Sequence, residues 1–103
     1  MTLNPAQRAA TQREFRANFQ RAGLTVAQVA IDLGISEIKL EHMLNLTQLT
    51  YEDVWILRNY VLDKVQAAGQ VPVPFTALAG DWHQYWFLNS TVIDERRLSA
   101  GDL

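Results

Sequence analysis

The sequence predicts an all-α bundle of four to five helices, built around a helix-turn-helix unit at residues 25–44 and finished by an aromatic C-terminal extension over 75–98. Three observations predict it. Apolar residues recur every three to four positions through most of the chain. Asn, Thr or Ser stands just ahead of successive apolar stretches, and Gly23, Gly34 and Gly69 close three of them. Between residues 25 and 44, a small alanine, a glycine and a set of aliphatic residues fall at the spacing that two tightly crossing short helices need.

Asn4 before Pro5 reads as an N-cap and first helical position. The helix runs to about Ala22, with Gly23 as a left-handed exit. Phe15, Phe19 and Ala22 share its inward face, and its four arginines lie mostly off that stripe. Thr25 caps a second helix, and Gln28 three residues on completes a capping box. Val26, Val29, Ala30 and Leu33 form its apolar face. Gly34 ends it and Ser36 caps a third helix that buries Leu40, Met43 and Leu44. Thr50 caps the longest helix, Tyr51 to Ala68, stopped by Gly69. Val54, Leu57, Val61, Val65 and Ala68 make its stripe, widened by Tyr51, Trp55 and Leu62. Ile56 and Tyr60 fall on its far side, so the helix is either central or buried at a subunit contact.

The run Val71-Pro-Val-Pro-Phe75 cannot be helical, because each proline pushes its predecessor into extended geometry. Phe75 should anchor it. Asp81 is a candidate cap for a short aromatic helix, Trp82–Leu88. Asn89-Ser90 breaks that helix, and Thr91–Leu98 suggests a last helical turn or two.

At 103 residues and 49% hydrophobic, the chain fits one small domain with one core. So small a domain buries a modest fraction of its surface, which makes dimerisation an expected source of stability. The absence of cysteine excludes disulfides and thiolate metal sites. The opening MTLNPAQRAATQREF lacks the apolar core of a signal peptide. No apolar run approaches the roughly 20 residues that span a bilayer. A cytoplasmic protein without membrane contact, metal or cofactor is expected.

The helix-turn-helix unit rests on several positions together. Ala30 is the small residue where the second helix crosses the first. Gly34, four later, tolerates positive φ. Ile35 plugs the turn, Leu40 and Met43 are buried beneath it, and Val29 and Leu33 complete the contact. The segment Thr25–Leu44 resembles the helix-turn-helix of the phage-repressor-like superfamily. Nearly the whole chain resembles a family of small uncharacterised bacterial proteins, domain of unknown function 2316. The carriers are LNPAQRAAT, LTVAQVAIDLGIS, EDVWILRNYVLDK and VPVPFTALAGDWHQYWFLNS. That resemblance implies a fold and brings no activity with it.

Two function classes follow. In the first, the chain is a bacterial transcription regulator that places its second motif helix in the major groove of double-stranded DNA. Ser36, Glu37, Ile38, Glu41 and His42 would then be the outward residues facing the bases, with Lys39 beside them as a further contact. Thr25 and Gln28 would reach phosphate. Charge opposes this reading. Net charge is −2, and the arginines Arg8, Arg13, Arg16 and Arg21 sit in the first helix rather than at the expected dock. Base reading favours Arg, Lys, Asn and Gln, whereas this face offers two carboxylates. In the second class, the same geometry serves protein interaction or dimerisation without DNA. Trp82, Tyr85 and Trp86, on one face at helical spacing, are then either a core plug or a homodimer seam. A third reading is a sensor for a small apolar effector, of unknown identity, held between the long helix and the aromatic tail.

Catalysis finds no foothold. The two histidines, His42 and His83, lie far apart outside any metal spacing. His83 reads as a local polar pair with Asp81, and Glu37 with Glu41 as a solvated pair. No phosphate loop or nucleophile elbow appears, so no enzyme is expected.

Overall fold

The computed structural model describes residues 3–48 and 50–101. Among these described residues five α-helices occur, in the order α1 (Pro5–Ala22), α2 (Val26–Leu33), α3 (Glu37–Leu44), α4 (Tyr51–Ala67) and α5 (Ser90–Asp94). Among the described residues there is no strand.

The caps expected from sequence set the helix starts. Asn4 and Gln7 form a reciprocal capping box on α1, and Thr25, Ser36 and Thr50 each accept a hydrogen bond from the third residue of their helices. Gly23 (φ +66°) and Gly34 (φ +68°) take the left-handed conformation at the ends of α1 and α2. One expectation fails locally. The Gln28 amide does not return to the cap at Thr25; it donates to Asp32 at 2.9 Å.

The two long helices, α1 and α4, pack on each other, and α3 and α5 pack against α4. Ala30 is buried, as tight approach of α3 requires, and Val29, Leu40, Met43 and Leu44 are buried around it. The far side of α4 is not free. Ile56 and Tyr60 are buried along with Val54, Trp55, Leu57, Val61 and Val65. The helix is therefore central, which explains its apolar girth.

Residues 71–75 cross α1 as an extended strap. Phe75 meets Phe15 edge-on at 4.9 Å between ring centres. Asn18, fully buried, donates through Nδ2 to the Val73 carbonyl and accepts the Val73 N–H at 2.7 Å. Its amide thus satisfies strap backbone that would otherwise be stranded.

The aromatic helix expected over Trp82–Leu88 does not form. Only a 3-10 turn, Trp82–Gln84, is present, and Tyr85 is already extended (φ −93°, ψ 110°). The side chains explain the break. Asp81 caps the His83 N–H, while the Tyr85 hydroxyl turns back to the Ala79 carbonyl at 2.7 Å. Asn89 then caps α5 through the Val92 N–H.

Candidate interaction surface

The outward side of the α2–α3 pair is acidic and apolar. Ile31 (73% exposed) and Ile38 (63%) stand in solvent. Glu37 is exposed at the first turn of α3, and Glu41 is half-buried one turn on. Asp32 accepts from the Tyr60 hydroxyl at 2.6 Å and from Gln28. These bonds, that from Tyr60 foremost, hold its carboxyl below the usual carboxylate range. Burial, reinforced by Asp32, pushes the Tyr60 phenol up. His42 is half-buried, with Nδ1 at 3.0 Å from the Thr47 hydroxyl.

The structure moves Lys39 off this surface. Sequence reading set it among the outward groups, but it is 1% exposed. Its Nζ lies 3.5 Å from Asp53 Oδ2, itself 1% exposed, and 2.9 Å from Ser99 Oγ. Asp53 also accepts the Ser99 N–H at 2.9 Å and the Ser99 hydroxyl proton. Residues 39, 53 and 99 thus tie α3, the first turn of α4 and the C-terminal segment into one buried polar cluster. Lys39 sits beside Leu40, at the edge of the inward arc of α3, and its aliphatic stem suits that position. The partners that draw it inward lie 14 and 60 residues away. Of the remaining predicted contacts, Thr25, Gln28 and Glu37 are exposed. Ser36 is half-buried and occupied as the cap of α3. Together they present one anion and no cation.

The arginines of α1 fasten neighbouring segments. Arg8 Nη1 donates to the Leu46 carbonyl, Arg16 to Asn45 Oδ1 at 3.3 Å and Arg21 to the Val71 carbonyl at 2.6 Å.

The structure also divides the three aromatic residues expected to share a face. Trp82 and Tyr85 are half-buried against Trp55, with ring centres at 6.1 and 5.8 Å. Arg58 stacks on Trp55, 5.0 Å from its ring centre. Trp86 alone points to water, 91% exposed, touching the edge of Phe87. Ile31 is a further exposed apolar group that no sequence signal marks, because it lies off the buried stripe of α2.

His83 has more company than the expected pair. Nδ1 lies 2.6 Å from Asp81 and Nε2 2.8 Å from Asp94, which also accepts from the Trp82 indole. Carboxylates only accept, so the imidazolium form, with a proton on each ring nitrogen, is the one that satisfies both contacts. Asp94 first, then Asp81, raises the His83 pKa. Asp81 and Asp94 are lowered in return, the former mainly by the His83 N–H and the latter mainly by its ring.

Among the described residues no cluster of three or more His, Asp or Glu could hold a metal ion, and no helix is long and apolar enough to cross a membrane. Among the described residues the fold is five α-helices without a strand, and its short helical pair presents carboxylates and isoleucines. Residues 1–89 match the family described as "uncharacterized protein conserved in bacteria (DUF2316)", and the chain belongs to it. No curated protein and no solved structure matches significantly.

Proposed function

We propose that this chain is a protein-interaction module of helix-turn-helix build. Its partner is a basic segment that carries apolar side chains, docked on the outer side of α2–α3. One observation carries the reading: the only Lys or Arg of α2 and α3 is Lys39, and it is buried. What remains outside is Asp32, Glu37 and Glu41, with Ile31 and Ile38 beside them. Phosphate would be repelled there. A partner with lysines or arginines around an apolar anchor finds complementary charge and two aliphatic contacts. The exposed indole of Trp86 supports self-association at a separate place, since one large aromatic anchor is the usual centre of a contact.

Titrating the isotope-labelled chain with a synthetic helical Lys/Leu peptide tests the docking face. Shift changes at Ile31, Glu37, Ile38 and Glu41 are expected, and Ile38→Glu should remove them. Changes spread over α1, or none at all, overturn the proposal.

The second reading is transcription regulation through DNA. It is favoured by the four arginines of α1 and by the resemblance of residues 25–44 to repressor motifs. Docking would then run through α1 rather than α3, and Arg13→Glu with Arg16→Glu would abolish it.

A further inference from the structure

A cleft of about 180 Å³ opens between the start of α1, the first turns of α4 and the aromatic segment. Its walls include Trp55, Leu78, Tyr85 and Phe87. An apolar cavity of roughly 150 Å³ holds a benzene ring, so this space suits one six-membered ring with a small substituent. The rings already stand in mutual contact, Tyr85 to Trp55 at 5.8 Å and to Phe87 at 5.7 Å between centres. The walls are therefore preformed.

Two polar groups mark the cleft as built for an occupant. Arg8, exposed at its edge, spends Nη1 on the Leu46 carbonyl, and none of the ion pairs among the described residues involves it. Gln48, also in the wall, keeps a buried Oε1 that accepts no hydrogen bond. Buried acceptors without a partner are few in native proteins. Rotation about the soft terminal torsion of the glutamine exchanges its two ends, so that Nε2 can donate to an acceptor on the occupant.

We infer that this cleft binds a small aromatic carboxylic acid, with its ring against Trp55 and Tyr85 and its carboxylate on the Arg8 guanidinium. The fork of an arginine matches a carboxylate in two-point geometry, and the aromatic walls offer faces and edges on which a planar ring packs. This site is separate from the α2–α3 face and stands or falls without it.

Calorimetry and tryptophan fluorescence with benzoate and benzyl alcohol test the inference on the full chain. Benzoate should bind about tenfold more tightly than benzyl alcohol, the advantage of a charge-assisted pair. Arg8→Gln should bring the two ligands level, Arg8→Lys should keep part of the preference, and Ala77→Leu, which fills the cleft, should abolish both. Thermal melts of each variant separate lost binding from lost folding. Equal binding of the two ligands by the wild type, or an unchanged preference in Arg8→Gln, overturns the carboxylate assignment. No binding of either at millimolar concentration overturns the site.

Discussion

Removing the ammonium of Lys39 while keeping its length, as Lys39→Met does, leaves Asp53 as a carboxylate at 1% exposure with no cation beside it. Breaking a buried pair from one side costs about 3–5 kcal/mol. A domain of this size has about 5–15 kcal/mol in total, and each kcal/mol moves its melting point by roughly 4–8 °C. Lys39→Met should therefore melt at least about 12 °C lower. Asp53 keeps two donors from Ser99, which places the expected loss toward the lower end of the range. Replacing both partners, in Lys39→Met with Asp53→Leu, should recover most of the loss, because a hydrophobic pair of similar volume carries no stranded charge. Urea denaturation of the two single variants and the double variant closes the cycle. A loss below about 1 kcal/mol in Lys39→Met, the size of effect expected for a solvated surface lysine, refutes the burial and returns Lys39 to the outer face. For the same reason Lys39→Glu should unfold the chain, because it would set two carboxylates together in the core.

Other outcomes follow from the same structure. Because its folded pKa is raised, His83 stabilises most below its ordinary value near 6.5, and that contribution fades as pH climbs through the higher folded value. The melting-point gap between wild type and His83→Gln should accordingly be widest near pH 6 and shrink in alkaline buffer; a gap independent of pH would contradict the double hydrogen bond. Gly34→Ala meets no neighbouring atom within 4 Å but must hold φ +68°, so urea denaturation should show a loss of roughly 1–2 kcal/mol from backbone strain alone. Trp86→Ala should leave the melting point almost unchanged, since the ring is 91% exposed, yet move the sedimentation mass toward monomer; identical monomeric mass in both proteins would remove Trp86 as a seam.

Local chemistry made most of the fold legible. Asn4, Thr25, Ser36 and Thr50 cap the helices they were expected to cap, and Gly34 turns left-handed at the position that separates α2 from α3. Each of those features depends on a few adjacent residues. Lys39 could not be placed that way, because the groups that draw it inward come from α4 and from Ser99. The aromatic segment misled for the opposite reason. Its spacing fits a helix, but only Trp82 and Tyr85 turn to Trp55, each held by its own hydrogen bond, while Trp86 points to water and no common face of three survives. Ile38 and Glu37 were correctly read as outward. A cleft does lie beside Trp55, but Tyr85 and Phe87 line it and Trp86 does not, because the segment leaves helical geometry at Tyr85.

The acidic, apolar character of α2–α3 is tested most directly by fluorescence anisotropy with a labelled random duplex at low salt. Wild type should show no binding, and Glu37→Lys with Glu41→Lys should acquire it, with affinity falling steeply as salt rises. Wild-type binding that weakens with salt by the slope of several released counterions, and that the paired lysine substitutions do not strengthen, would contradict a face built for protein.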